Sequence, residues 1–148
     1  MKVHGPCATF GVNAPLTIDL PATWKPVRAD PGWRFKAVAP DYTAWTFLSA
    51  RPDTVDFNSY AASFVAFERQ ATSVLGSHIV FRTRGASVGG EKAVLVYAAG
   101  RGTTAEYLYA FVHNGVDYVL AFATTANRAR ASSKVFDAAV RSVRFKNP

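Results

Sequence analysis

One short stretch, Phe111-Val-His113-Asn114-Gly115-Val116-Asp117-Tyr118, limits what this chain can fold into. Asn-Gly between two apolar runs is the strongest short hairpin signal, because a type I′ turn needs positive φ at both central residues. The turn then fixes the register. His113 faces Val116, Phe111 faces Tyr118, Tyr109 faces Leu120 and Tyr107 faces Phe122. On the other face Val112 pairs with Asp117, Ala110 with Val119 and Leu108 with Ala121. One face is large and aromatic, the other small and aliphatic. A sheet that is apolar on both faces must be covered on both, most simply by helices. The expected fold is therefore α/β (α+β), a three-layer α-β-α sandwich around a central antiparallel sheet of about six strands.

The rest of the chain supplies the other elements. Glu91–Ala99 precedes the hairpin as a third strand, joined to it at Gly100-Arg101-Gly102. Leu16–Leu20 alternates and runs into Pro21, so it reads as a strand at a sheet edge. Trp33–Ala39 and Thr43–Ala50 are strand-like, with Pro40-Asp41 between them as a second hairpin. Tyr60, Phe64, Phe67, Ala71 and Val74/Leu75 recur at helical spacing, and predict a helix near 57–75 with Asp56 as N-cap and Gly76 beyond its end. Its aromatic stripe is assigned to core packing. His78–Arg84 is a further strand, with Gly85–Gly90 as a turn. Ala131, Val135, Phe136, Ala139 and Val140 predict a second helix near 127–142. Residues 1–12 are expected to form a flexible N-terminal segment of a single domain, 1–148. At 148 residues the chain can bury a core without disulfides or structural metal.

Net charge of +7 favours acidic partners or plain solubility. No run of Lys and Arg marks a specific nucleic-acid site, so only weak, salt-sensitive binding is expected. No apolar run reaches the length of a membrane span. Cys7 is the single cysteine, so no internal disulfide can form. A complete chain would be cytoplasmic. One whose leader had been removed would be periplasmic or lipid-anchored at Cys7, although His4-Gly5-Pro6 does not resemble a lipobox.

No motif carries chemistry convincingly. Gly85-Ala86-Ser87-Val88-Gly89 matches G-x-S-x-G, but strands flank it where a strand-to-helix elbow is needed. His113 is the only downstream histidine. A small serine hydrolase using Ser87 is the rival reading. Gly100-Arg-Gly102-Thr-Thr opens a strand and lacks the second half of a phosphate loop. His4, His78 and His113 have no partners at metal-ligand spacing. Tyr107, Tyr109 and Phe111 sit on one sheet face, yet no RNA-recognition signature accompanies them. No enzyme, cofactor or metal site is expected.

Several soft features recur together. These are Leu20-Pro21-x-x-Trp24, then Gly89-Gly90-x-Lys92-Ala93-x-x-x-Tyr97, then Tyr109-Ala-Phe111-Val-x-x-Gly115-x-x-Tyr118-x-Leu120-x-Phe122, and finally Ser142-Val-Arg144-Phe145. In this order they resemble the PsbP-like family over nearly the whole chain. That family groups the extrinsic P subunit of photosystem II, a yeast Ran-binding import factor and many bacterial proteins; this chain is similar to the bacterial type. The resemblance implies an antiparallel sheet between helices and a non-catalytic protein-binding, assembly or adaptor role. Bacterial members include periplasmic lipoproteins and small dimeric adaptor-chaperones for effectors of type VI secretion systems. A partner protein or a second copy is therefore expected, without specific nucleic acid.

The expected partner surface lies on the second hairpin. With a two-residue loop at Pro40-Asp41, Lys36 faces Trp45 and Arg34 faces Phe47, which sets aromatics beside basic heads. Arg130, Lys134 and Arg141, together on one side of the second helix, form a second candidate surface.

Overall fold

The computed structural model describes residues 6–52, 56–74, 80–100 and 104–146. In chain order the strands are β1 (Cys7–Gly11), β2 (Leu16–Pro21), β3 (Lys25–Pro26), β4 (Phe35–Val38), β5 (Ala44–Pro52), β6 (Val80–Val88), β7 (Glu91–Ala99), β8 (Thr104–His113), β9 (Val116–Thr125) and β10 (Arg144–Phe145). The helices are α1 (Phe57–Ser73) and α2 (Ala129–Ser142), the latter entered through a single 3-10 turn at Ala126–Arg128. Seven strands form one antiparallel sheet in the order β3-β4-β5-β9-β8-β7-β6. Every pair expected of the β8–β9 hairpin is present, from His113 opposite Val116 to Tyr107 opposite Phe122. Asn114 and Gly115 have φ of 50° and 74°, the left-handed pair that a type I′ turn requires. Gly89 and Gly90, at 59° and 86°, make a second such turn between β6 and β7. The strand β6 runs to Val88, so only Gly89-Gly90 of the expected 85–90 turn is a turn.

The two faces of this sheet are covered differently. On one lies α1, the crossover between β5 and the β6–β9 meander. Asp56 caps it by accepting the Ser59 N–H at 2.8 Å, as its position before the helical pattern predicts. Gly76, its expected C-terminal glycine, lies outside the described residues, as do Leu75 and His78. The sheet-facing side of α1 differs from the expected stripe. Phe64 and Val65 pack on a small cluster of Val96, Leu108 and Ala121, and the buried Tyr60 donates to the Tyr118 carbonyl, whereas Phe67 and Val74 are 69% and 78% exposed. The apolar pattern steps three residues from Phe64 to Phe67; the helix instead sets the fourth, Glu68, beside Phe64 on the sheet-facing side. Both steps are helical neighbours, and the apolar one was not the buried one.

The second face carries α2 together with a small sheet in the order β1-β2-β10. This layer is half helix and half sheet, where the sequence predicts helix alone. Leu16–Pro21 is the middle strand of that sheet, paired on both sides, and not an edge. Cys7–Gly11 is a regular strand, not a loose segment; Phe10 reaches to 6.1 Å from the Phe35 ring. Leu16, Ile18 and Leu20 meet Phe136, Ala139 and Val140 of α2 over the aromatic face of the hairpin, and this is the main core. Phe111, Tyr118 and Phe122 are fully buried within it.

Candidate partner-binding groove

α1 lies chiefly over β6, β7 and β8 and reaches β9 through Tyr60, whose hydroxyl donates to the Tyr118 carbonyl at 3.0 Å, so a groove remains between the helix and the β5 side of the same face. This open groove has a volume of about 490 Å³. Trp33 and Phe47, ring centres 5.3 Å apart, form one wall, and Phe64 and Glu68 of α1 form the other. Ser49, Leu108, Val119 and Ala121 floor it, with Asp30 and Glu106 completing the lining.

Local sequence explains each wall. Asp30-Pro31-Gly32-Trp33 is a type II turn: the Trp33 N–H donates to the Asp30 carbonyl at 3.0 Å, and Gly32 takes φ of 91° after the proline. That turn brings the Asp30 carboxylate and the Trp33 indole to one place. Phe64 and Glu68 are one helical turn apart, so they line the same side of α1. Glu106 lies two residues from Leu108 on β8, hence on the same sheet face. Burial raises the pKa of the half-buried Glu68, and the Glu106 charge raises it further. Partial desolvation raises Glu106 as well.

The expected aromatic–basic hairpin is real in its face and wrong in its register. Lys36 stands opposite Phe47, and Val38 stands opposite Trp45. Lys36 does not face Trp45, nor Arg34 Phe47. The loop has four residues, not two. The Ala39 N–H donates to the Ala44 carbonyl at 2.9 Å, Tyr42 takes φ of 59°, and the Asp41 carboxylate accepts from the Thr43 N–H and hydroxyl at 3.2 and 2.7 Å. A two-residue hairpin needs positive φ that proline at its first central position cannot adopt. The slide of two residues preserves the face, so Lys36, Trp45 and Phe47 share it. The Lys36 ammonium lies 5.3 Å from the Phe47 ring centre and 3.8 Å from Asp30. Arg34 is exposed, and its charge opposes the upward shift that burial gives the Tyr118 phenol, on the other face of the sheet. The second candidate set, Arg130, Lys134 and Arg141, is exposed on α2, across the sheet from the groove. The structure does not bring the two sets together.

Trp33, Glu68 and Glu106 were not singled out by the sequence reading. A signal was there: Glu68 and Glu106 interrupt otherwise apolar faces of a helix and a strand.

The chemistry-bearing motifs do not assemble. Ser87 pairs with Lys92, one residue from Ala93, which faces Phe111. Ser87 and His113 therefore lie on opposite faces of the sheet, and a turn follows the motif where an elbow would need a helix. His113 instead meets Glu91 at 2.5 Å and stacks on Phe145 at 3.6 Å. Arg101–Thr103 of the phosphate-like loop lie outside the described residues. Among the described residues no group of His, Cys, Asp or Glu is placed to hold a metal, and no helix is long and apolar enough to cross a membrane. Cys7 is exposed.

The sequence matches no family model and no curated protein. Solved structures are similar in fold. Cyanobacterial PsbP of Synechocystis superposes with a TM-score of 0.66 at 11% identity, over 95% of this chain and 98% of that one. A protein of Bacteroides thetaiotaomicron gives 0.65 at 13% identity over 94% of this chain, which spans 48% of that protein. LpqN of Mycobacterium tuberculosis, described as involved in cell envelope biogenesis, gives 0.58 at 14% identity, over 96% and 91%. At these identities the likeness is one of fold, and the fold is PsbP-like, as the sequence resemblance implies.

Proposed function

We propose that this chain, a PsbP-like fold, is a non-catalytic protein-binding module that docks its partner in the groove beside α1. One observation carries the reading: an open groove on this sheet face, beside α1, is walled by Trp33, Phe47 and Phe64. Large aromatics at the centre of a concave surface are the residues that dominate interface energies. An assembly or adaptor role is the finer form of the same reading. It accords with the resemblance in fold, and with catalytic candidates that fall on opposite faces of the sheet.

The test is affinity capture from the source organism with three forms of the protein. The wild type should retain a partner. Trp33→Ala with Phe47→Ser should lose it. Arg130→Glu with Lys134→Glu and Arg141→Glu should keep it. The reverse pattern would move the site to α2, and a capture indifferent to both sets would sink the proposal. Esterase activity abolished by Ser87→Ala would replace it with the hydrolase reading.

A further inference from the structure

The chain is strongly basic, with 17 Lys and Arg against 10 Asp and Glu. Its groove is not. Among the described residues, the charged ones that line it are Asp30, Glu68 and Glu106, with no cation. Lys36, not itself in the lining, lies beside it, 3.8 Å from Asp30 and 5.3 Å from the Phe47 ring centre. No described Lys, Arg or His lies within ion-pair distance of Glu68 or Glu106. Yet both carboxylates line the one groove, where the Glu106 charge opposes ionisation of Glu68. Like charges set together against an apolar wall are unfavourable until a cation arrives. The aromatic wall suits the same guest, because ring faces attract ammonium and guanidinium groups. Phe47 already accepts one, from Lys36.

We infer that the groove takes a basic segment of a partner protein, seating a lysine or arginine side chain against Trp33 and Phe47 with its charge on Glu68 and Glu106. This rests on the reading of the groove as the partner surface, and adds the chemistry of the occupant. An acidic segment would add a further like charge to the site. A purely apolar one would leave the two carboxylates unpaired and further desolvated. Arginine fits best: its planar head stacks on rings and presents its donors to two carboxylates at once.

Intrinsic tryptophan fluorescence reads the site once Trp33 is separated from the other two tryptophans. Trp33 lines the groove, Trp24 is buried in the main core, and Trp45 is half-buried on β5, so the Trp33→Phe comparison isolates the groove signal. The probes are short blocked peptides alternating arginine with serine, and the same peptides with glutamine or glutamate replacing arginine. The arginine peptide should shift the emission saturably, and Trp33→Phe should remove most of that shift. The glutamine peptide should bind about tenfold more weakly or worse, the loss expected of a charge-assisted contact. Glu68→Gln with Glu106→Gln should weaken the arginine peptide by a similar factor without lowering the melting temperature. Equal binding of glutamine and arginine peptides, tighter binding of the glutamate peptide, or no effect of the double substitution overturns the inference. So does an absence of saturable binding by any peptide. In each of those cases the capture experiment above still decides separately whether the groove binds a partner. Concentration-dependent self-association in sedimentation, abolished by the same double substitution, would also overturn it by making a second copy the occupant.

Discussion

Gly89 and Phe145 meet so closely that a Cβ on the glycine would lie 2.6 Å from the phenyl Cε2. The same Cβ would lie 3.4 Å from Val143 Cγ1, and the backbone there has φ of +59°. Gly89→Ala therefore combines left-handed strain with a steric conflict, and should cost about 2–4 kcal/mol. Gly90 provides the control. Its φ is also positive, but its Cβ would meet nothing within 4 Å. Gly90→Ala should cost about 1 kcal/mol, from strain alone. Urea unfolding of both variants checks this, and equal losses would refute the contact.

Phe145 holds more than the turn. It stacks on His113, sets its edge to Phe111 at 6.0 Å and lies 5.9 Å from Tyr118. Phe145→Ala should cost about 2–3 kcal/mol, less than a fully buried ring because this one is half-buried. In that background Gly89→Ala should lose its steric part. The double variant should then be more stable than the sum of the single losses predicts, by about 1 kcal/mol or more. Strict additivity in the unfolding cycle would mean that the two residues do not press on each other.

The last turn of α2 is tied to β2 by Ser142. Its hydroxyl accepts the Asp19 N–H at 2.7 Å and donates to the Ala139 carbonyl at 2.6 Å. Ser142→Ala leaves a half-buried N–H unpaired and should cost about 1–2 kcal/mol. Hydrogen exchange should show the loss as faster exchange at the Asp19 amide. Unchanged protection there would place the amide's partner elsewhere.

How much of this was legible depends on what fixes each feature. The β8–β9 hairpin was legible to the residue, because Asn114-Gly115 admits one turn and the turn dictates every pair. Asp56 was legible as a cap because a cap is a local contact. The soft motif ends were legible only as a pattern; that Gly89 and Phe145 touch is tertiary, and no spacing announces it. Phe67 and Glu68 show the opposite failure. The apolar pattern favoured Phe67 as core, but α1 covers only part of its sheet face, and the side it presents carries Glu68. Pro40 alone excludes the two-residue loop, but it does not choose among longer ones, so the β4–β5 register was only partly recoverable. The groove itself was not recoverable. It exists because of where α1 lies across the sheet, which is set by packing and not by any local signal.

Asp56 gives a prediction in acid. Its pKa is lowered, mainly by the hydrogen bonds it accepts from the Ser59 N–H and hydroxyl. A carboxyl whose folded value is depressed stabilises the fold above its unfolded value and loses that contribution as pH falls through the folded one. Asp56→Ala should therefore melt below wild type at pH 7, with the gap closing as pH falls below the unfolded aspartate value of about 3.9. Asp56→Asn, still able to cap, should show a small gap that does not depend on pH. A gap that persists unchanged into acid would mean the carboxylate charge plays no part in the cap.

Glu68 and Glu106 predict the opposite slope. Both are raised, first by burial, so the folded state holds their protons more tightly than the unfolded chain does. Their penalty is absent below the unfolded carboxylate value of about 4.3. It grows as pH rises through the folded values, and is full above them. Glu68→Gln with Glu106→Gln removes the charges and should raise the melting temperature at pH 8, with the advantage shrinking toward pH 4. The gain should be modest, because both side chains keep contact with solvent and water screens them. Thermal melts of the two forms across that range provide the measurement. A double variant less stable than wild type at pH 8 would mean that a cation of the fold itself pairs with these carboxylates, and the groove would then have no charge to offer a basic partner.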